Sequence, residues 1–134
     1  MEHFCELKVR FIECDMYGHV NNATYLSYLE YARVELLREL NIPVKKLSEL
    51  GYFLFIVKIC IEYKIPAVMD DLLIIRTRLI EKRKTSGTFN QTILRGDEII
   101  IDARVKWVCS NSSGKPQRLP EEISRLDIYE NKVL

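Results

Sequence analysis

The chain lacks any long run of apolar residues. Its longest such run covers residues 53–57, which is far too short to span a bilayer. The N-terminal residues also lack the charged start, the apolar middle and the small-residue cleavage site of a signal peptide. We therefore expect a cytoplasmic protein without a membrane partner.

Cysteine motifs are missing as well. Cys5, Cys14, Cys60 and Cys109 are widely separated and include no C-x-x-C pair. Such scattering disfavours a structural zinc site and a disulfide framework, and free thiols suit a reducing cytoplasm. We expect no metal ion and no cofactor, because the sequence offers too few clustered ligands.

An excess of charge of one sign is the third absence. The 20 Lys and Arg residues nearly balance the 19 Asp and Glu residues, and the formal net charge is +1. This balance gives no reason to expect a nucleic-acid partner. Hydrophobic residues make up 48% of the 134 positions, as in soluble globular proteins. Without repeats or low-complexity tracts, residues 1–134 are expected to form one domain.

Hydrophobic periodicity predicts a first strand followed by a long helix. Residues 4–12 alternate between apolar and polar side chains, with Phe11 on the apolar face of a half-buried strand. Residues 23–40 carry apolar side chains at helical spacing, and a short second helix is predicted over residues 44–50. The apolar stripe of the long helix comprises Tyr25, Leu29, Ala32, Leu36 and Leu40, widened by Leu26, Tyr28 and Leu37.

After Gly51 the hydrophobic period changes to two. In the first of four strand-like segments, Val57 begins the apolar face. Short links make neighbouring strands antiparallel, and one long apolar helix can be buried by lying across a face of such a sheet. We predict an α+β fold with a single antiparallel sheet of about five strands wrapped around one long helix. The four segments are residues 53–65, 72–82, 85–95 and 98–109.

Side chains suited to chemistry lie between the first strand and the long helix. Asp15, Gly18 and His19 precede the helix start at Asn21 and Asn22. A helix N-terminus carries unpaired N–H groups and partial positive charge, so it can stabilise an oxyanion. A carboxylate beside it suits a general base or a nucleophile. A structural role is equally open, because Asn caps helices and Asp bonds loop amides.

The stretch over residues 9–37 resembles the signature of the hot-dog-fold thioesterases, specifically the 4-hydroxybenzoyl-CoA thioesterase-like acyl-CoA hydrolases. The shared pattern is an acidic residue, a Gly-containing loop, and a helix start with Asn and then Tyr. In this sequence the pattern is formed by Asp15, Gly18, Asn22, Tyr25, Glu30, Ala32 and Arg33. The resemblance extends to Pro66-Ala67, Asp70-Asp71, Gly114-Lys115-Pro116 and Arg118-Leu119-Pro120, and so covers nearly the whole chain.

The resemblance implies hydrolysis of an acyl-CoA thioester to a free acid and CoA. Asp15 would be the general base or nucleophile. Backbone amides near Gly18, Asn22 and Ala23 would hold the carbonyl oxygen, with Tyr25 beside them. The family's site lies at a subunit junction, which implies a homodimer or a homotetramer built from dimers.

His19 is a second catalytic candidate, because a histidine titrates near neutrality. Bonding the loop backbone is an equally good role for it. The run also resembles plant acyl-carrier-protein thioesterases, in which an Asn stands two residues before the His. Here Tyr17 occupies that position, so the plant-type pattern is incomplete. A nucleophilic pair of Cys14 and His19 is disfavoured, because the neighbouring Asp15 would raise the thiol pKa.

Basic and aromatic residues supply candidates for substrate binding. Lys82, Arg83 and Lys84 at a strand end could bind the CoA phosphates, or could be a solvated edge that prevents strand pairing. Arg95 and Lys106 are weaker candidates. Phe53, Phe55, Tyr25 and Tyr28 are candidates for an acyl pocket.

Three other functions remain open on the same fold. These are an acyl-carrier-protein thioesterase, a hydroxyacyl thioester dehydratase that uses His19 with an acid, and a non-catalytic module that binds acyl thioesters. The fold by itself does not exclude the third, because one fold serves many functions.

Overall fold

The structure, a computed structural model, describes residues 1–130. The last four positions of the expected domain over residues 1–134 lie outside the described residues. None of the helices within residues 1–130 is both long and apolar enough to cross a membrane. The elements are β1 (Glu2–Lys8), a 3-10 turn (Phe11–Glu13), α1 (Thr24–Glu39), α2 (Val44–Glu49), β2 (Phe53–Tyr63), β3 (Leu72–Lys82), β4 (Ser86–Arg95), β5 (Glu98–Ser110) and α3 (Glu121–Ser124).

All five strands form one antiparallel sheet in the order β1-β3-β4-β5-β2. Strands β4 and β5 are joined by a tight turn at Gly96 and Asp97. The apolar face of α1 packs on one face of this sheet, where the core lies. The predicted α+β fold, with one sheet against one long helix, is confirmed.

The buried stripe of α1 follows the predicted helical spacing. Tyr25, Leu29, Ala32 and Leu36 are all buried, and most of them contact inward-facing residues of β3, β4 and β5. The prediction was wrong for Leu26, which is 40% exposed. Leu26 follows Tyr25 by one position, so helix geometry turns it away from the stripe by about 100°.

The first strand is shorter than predicted. β1 ends at Lys8, and Phe11 is 77% exposed instead of lying on the apolar face. The backbone of Val9 still bonds the turn before β3, through N–H to the Asp71 carbonyl at 2.9 Å. The chain then enters the 3-10 turn, which Glu13 stabilises by accepting the Arg10 N–H at 2.8 Å. This local hydrogen bond ends the strand alternation before Phe11.

The edge strand β2 contains an irregularity that the sequence pattern did not reveal. Its register with β5 shifts between Ile56 and Lys58. An inserted residue in one strand changes the direction of the side chains around it. Val57, predicted on the apolar face, is therefore 53% exposed, whereas Ile59 and Ile61 remain half-buried.

Gly87 gives the core a testable close contact. It pairs with Trp107 across β4 and β5, and a Cβ at this position would lie 2.4 Å from the indole Cζ2. Trp107 is only 1% exposed and packs on Phe89, so it has little room to move. We expect Gly87→Ala to lower the free energy of unfolding by about 2 kcal/mol through overpacking.

Urea unfolding of the Gly87→Ala variant measures this change. The control is Thr88→Val on the opposite face of β4, which is expected to change stability by no more than about 0.5 kcal/mol. An unchanged unfolding midpoint in Gly87→Ala would contradict the tight contact with the indole.

Candidate active site

The loop between the 3-10 turn and α1 is closed by its own backbone. The Asp15 N–H donates to the His19 carbonyl at 2.7 Å, and the Gly18 N–H donates to the Asp15 carbonyl at 3.0 Å. Gly18 has a φ of 76°, a conformation that glycine adopts without strain. The Val20 N–H then bonds the Ala67 carbonyl at 2.8 Å, which ties the loop to the turn before β3. The loop therefore holds Asp15 in a defined place.

The Asp15 carboxylate is only partly used by the loop. Its Oδ1 accepts the N–H of Tyr17 at 2.9 Å and the N–H of His19 at 3.3 Å. Within residues 1–130 its Oδ2 accepts no hydrogen bond, and the residue is exposed. The structural role considered for Asp15 is thus present. It leaves one carboxylate oxygen oriented and open to solvent.

The start of α1 leaves one of the predicted amides free. The Gly18 N–H is already bonded to Asp15, and the Ala23 N–H donates to Asn21 Oδ1 at 2.9 Å. Asn21 therefore closes a turn just before the helix, whereas the predicted capping by Asn was wrong, because the N-cap residue is Ala23 and no side chain caps it. The Asn22 N–H has no acceptor in the described part of the chain, and the Asn22 carbonyl accepts the Tyr63 hydroxyl at 3.2 Å. Among these three amides, Asn22 has the N–H that a substrate carbonyl can use.

Tyr25 supports the loop from below. It is 4% exposed, and its hydroxyl oxygen accepts the Ala67 N–H at 3.0 Å. Burial raises the pKa of this phenol, so it stays neutral. Its ring lies 5.7 Å from that of Tyr63, at a steep angle. Tyr25 thus joins the first turn of α1 to the backbone that pairs with the Asp15 loop.

Glu13 and Tyr28 form a second support. The Tyr28 hydroxyl donates to Glu13 Oε1 at 3.0 Å, and the Arg10 guanidinium donates to Oε2 at 3.3 Å. Burial raises the pKa of Glu13, but hydrogen bonds from Arg10 and Tyr28 outweigh it, and the net pKa is lowered. Glu13 is therefore ionised at neutral pH and fixes the turn that leads to Asp15.

An ion pair holds the turn on the other side of the loop. Asp71 Oδ2 accepts the Val68 N–H at 2.9 Å and the Arg95 Nη1 at 2.7 Å. Val68 forms an isolated β-bridge with His19. Hydrogen bonds from Arg95 to Asp71 and Glu98 raise the pKa of the Arg95 guanidinium. Asp71 therefore stabilises this turn, and Arg95 is engaged here rather than free for a CoA phosphate.

The Cys14 thiol, the alternative nucleophile, has no neighbouring base that would activate it within the described residues. Cys14 is half-buried, and its thiol lies 3.8 Å from the Arg10 carbonyl. Cys14 pairs with Val20 and His19 with Val68 in separate isolated bridges. The His19 side chain is exposed and forms no hydrogen bond within residues 1–130. The described geometry shows no hydrogen bond between Cys14 and His19.

The predicted basic residues lie at the far end of the sheet. β3 begins beside the Asp71 turn and ends at Lys82, ten residues further, which is about 33 Å at the usual strand rise. The Lys82 ammonium donates to the carbonyls of Ser124 at 2.5 Å and Leu126 at 2.6 Å. Lys82, Arg83 and Lys84 line a cavity of about 440 Å³ with Arg118. Within one chain the structure does not bring them near Asp15.

An apolar groove runs between α1, α2 and β2. It has a volume of about 380 Å³, and Phe53 and Phe55 line it, as expected for an acyl pocket. Trp107 also lines it, whereas Tyr25 and Tyr28 lie in the core between α1 and the sheet. The groove therefore contains two of the four aromatic residues that the sequence suggested.

Comparison with known proteins identifies the family. A family model described as the thioesterase-like superfamily matches residues 9–126. The chain belongs to this family. The acyl-CoA thioesterase YbgC of Haemophilus influenzae is 34% identical over 119 residues, which cover 87% of this chain and 88% of that protein. The long-chain acyl-CoA thioesterase FadM of Escherichia coli is 37% identical over 106 residues, covering 78% and 80%.

A solved structure agrees with this assignment. The crystal structure of a probable thioesterase from Bartonella henselae is 31% identical, with a TM-score of 0.85, and the match covers 90% of this chain and 100% of that one. The predicted family is confirmed, and so is the predicted class of enzyme, a thioester hydrolase. The hot-dog fold predicted for this thioesterase is confirmed as well.

The sequence did not reveal the role of Glu13 or the pairing of Asp71 with Arg95 in this thioesterase-like site. Glu13 and the pair of Asp71 and Arg95 hold the backbone on either side of the Asp15 loop. For Glu13 a local signal existed, because an acidic residue three positions after Arg10 suits a helical turn. For Asp71 and Arg95 no local signal existed, since 24 positions separate them.

Proposed function

We propose that the protein hydrolyses acyl-CoA thioesters to a free acid and CoA, with Asp15 as the reacting carboxylate. Membership of the thioesterase-like superfamily and the two similar acyl-CoA thioesterases support this function. The assignment of Asp15 rests on its carboxylate, of which only one oxygen accepts hydrogen bonds from the loop. Two loop amides fix Oδ1, and Oδ2 is free of partners in the described residues.

Two routes are compatible with this arrangement. As general base, Asp15 takes a proton from water while the water oxygen attacks the thioester carbon, and the proton then passes to the departing CoA thiolate. As nucleophile, Asp15 attacks the carbonyl carbon itself and releases the thiolate, and water then hydrolyses the resulting anhydride. In both routes the carbon–sulfur bond breaks and one water is consumed.

The start of α1 provides stabilisation for the oxygen of the thioester carbonyl. We assign this role to the Asn22 N–H, the one predicted amide left without an acceptor among residues 1–130. The 16-residue helix adds the positive end of its dipole at the same place. His19 remains a candidate for orienting water, because its exposed side chain adjoins Asp15 in the loop.

We propose that two chains pair through their β2 edges and that pairs can assemble into tetramers. Phe55, Ile56 and Val57 are between 41% and 53% exposed on this edge strand, and an unpaired edge with apolar side chains favours strand addition. Exposed apolar side chains also adjoin Asp15, with Met16 89% and Tyr17 77% exposed. A partner subunit at the site would cover such a patch.

We expect Lys82, Arg83 and Lys84 to bind the phosphates of a CoA only when that CoA is bound at the Asp15 loop of a partner subunit. The distance of about 33 Å along β3 separates these residues from the Asp15 loop of the same chain. Lys82 is also held by two backbone carbonyls. Arg83 and Lys84, both exposed, are therefore the better candidates of the three.

Release of free thiol from a panel of short, long and aromatic acyl-CoAs tests the proposed function. We expect turnover of at least one class above the rate without enzyme. Hydration of crotonyl-CoA without thiol release would instead indicate a dehydratase. Binding of an acyl-CoA without turnover would indicate a non-catalytic module. If only acyl-carrier-protein thioesters are hydrolysed, the protein is an acyl-carrier-protein thioesterase.

A further inference from the structure

Arg33 is an unusual member of the apolar groove. It lies on α1, is largely buried, and lines the groove together with Phe53, Phe55 and Trp107. Burial lowers the pKa of its guanidinium. A cation in apolar surroundings loses hydration and is stable only if hydrogen bonds or an anion replace the lost water.

The hydrogen-bonding capacity of Arg33 is mostly unused. A guanidinium has five N–H donors, and the described contacts use Nη1 alone, which donates to Gln91 Oε1 at 3.0 Å. Within residues 1–130 no carboxylate forms an ion pair with Arg33, although Glu30 lies one turn earlier on the same helix and also lines the groove. The planar fork of Arg33 therefore has room for a carboxylate bound through two oxygens.

Trp107, which also lines the groove, carries a buried donor. Its side chain is 1% exposed, and its Nε1 has no hydrogen-bond partner in the described part of the chain. Buried donors are normally paired, and an unpaired one calls for an explanation. The unused N–H groups of Arg33 and the unpaired Trp107 Nε1 favour a ligand that brings oxygen atoms into this apolar groove.

The groove lies at a suitable distance from the Asp15 loop. The Tyr63 hydroxyl at the end of β2 donates to the Asn22 carbonyl before α1. The groove, which Phe53 and Arg33 line, therefore lies further along α1 and nearer the start of β2. Arg33 lies eleven positions after Asn22, almost all of them in α1, which is about 15 Å along the axis. An extended acyl chain of medium length spans this distance.

We propose that this groove receives the acyl chain and that Arg33 binds a carboxylate at its far end. The preferred substrates are then CoA monothioesters of dicarboxylic acids. This inference rests on the proposed thioesterase function and adds the substrate class. Glu30 opposes the binding of a second carboxylate, but it is exposed and can turn to solvent, whereas Arg33 is held in place by Gln91.

Paired substrates of equal chain length test the proposal. Sebacoyl-CoA is compared with decanoyl-CoA, and dodecanedioyl-CoA with dodecanoyl-CoA, by thiol release from the wild-type protein. We expect kcat/KM to be at least tenfold higher for the dicarboxylic member of the better pair. The advantage is expected mainly in KM, because the remote contact is the same in the ground and transition states.

Arg33→Gln removes the charge but keeps an amide N–H that can reach Gln91. In this variant the ratio of kcat/KM between the dicarboxylic and the unsubstituted member of a pair is expected to fall from tenfold to about one. The control is Arg38→Gln, an exposed arginine on the same helix that pairs with Glu35. It is expected to keep the preference. Glu30→Gln is expected to increase the preference, because it removes the opposing charge.

Several results would overturn the proposal. If the wild-type protein shows no preference in either pair, Arg33 does not select a carboxylate, and the thioesterase function still stands. An equal preference in wild type and Arg33→Gln also overturns the proposal. So does an Arg33→Gln protein that keeps the preference but no longer forms a dimer, because Arg33 would then contact a partner subunit instead of the substrate. If the folded wild type cleaves no acyl-CoA at all, the proposed function fails first. Calorimetric titration with sebacate and decanoate then shows whether the groove itself distinguishes the two.

Discussion

Replacement of Asp15 by Asn is expected to lower kcat for acyl-CoA hydrolysis by about a thousandfold, the usual contribution of a positioned base. The amide can neither accept a proton from water nor attack the thioester carbon. The loss is expected in kcat and in kcat/KM alike, because the carboxylate acts in the transition state. Steady-state thiol release at saturating substrate measures the change.

Asn is the informative substitution because it preserves the loop. In the wild type, Asp15 Oδ1 accepts the N–H groups of Tyr17 and His19. The carbonyl oxygen of an asparagine side chain can accept both, so the backbone that positions Asn22 is expected to be unchanged. Unchanged urea unfolding of Asp15→Asn would verify this. Any loss of turnover then reports on chemistry rather than on folding.

Asp97→Asn is the matched control, because Asp97 is exposed in the turn between β4 and β5. Its kcat is expected to equal that of the wild type. Cys14→Ser is likewise expected to remain active. Undiminished turnover in a folded Asp15→Asn protein would refute the mechanism. Loss of turnover in Cys14→Ser alone would favour the thiol.

Replacement of Gln91 by Leu is expected to lower the free energy of unfolding by about 4 kcal/mol, since three buried groups lose a partner at once. Gln91 is 0% exposed in β4. Its Oε1 accepts Arg33 Nη1 at 3.0 Å, and its Nε2 donates to the Leu29 carbonyl at 3.0 Å and to Thr77 Oγ1 at 3.1 Å. Leu fills a similar volume but makes none of these bonds.

The charge on Arg33 accounts for the size of this effect. A buried cation that loses its acceptor costs more than a neutral group in the same position. Urea unfolding provides the measurement, and Tm is expected to fall by about 14 °C. The control is Gln117→Leu, because the Gln117 side chain forms no hydrogen bond within residues 1–130. A loss below about 1 kcal/mol in Gln91→Leu would contradict the network.

A double variant separates the charge from the packing. In Arg33→Met with Gln91→Leu, the cation and its acceptor are removed together. Part of the lost stability is expected to return, because apolar replacement of both partners is often nearly neutral. A coupling energy of about 1–2 kcal/mol between the two sites is expected from the double-mutant cycle. If the stability changes of the two single variants add up to that of the double variant, the hydrogen bond between Arg33 and Gln91 contributes little to stability.

Much of the fold was predictable from local patterns. The bounds of β3 were predicted without error, and the ends of β4 and β5 to within one residue. The helix over residues 23–40 was found as Thr24–Glu39. Errors occurred where a local hydrogen bond or an inserted residue interrupts a regular pattern. Phe11 begins the 3-10 turn that Glu13 stabilises, and Val57 lies at the bulge of β2.

The candidate site was predictable only in part. The sequence placed Asp15 in a loop before a helix and suggested both a catalytic and a loop-bonding role. The structure shows that the loop bonds occupy one carboxylate oxygen. It also distinguishes Asn22 from Gly18 and Ala23 by the free N–H. Donor pairing depends on the path of the backbone, which residue order does not reveal.

The sequence by itself determined the order of the elements, the family and the position of Asp15 before α1. These features follow from periodicity and turn chemistry within short stretches of chain. Only the tertiary structure decided that Asp71 meets Arg95, that Gln91 accepts Arg33, and that the basic residues at the end of β3 lie far from the Asp15 loop. Such contacts join residues 24 to 58 positions apart. They arise only when strand order and register bring the strands and the helix together, which no local pattern encodes.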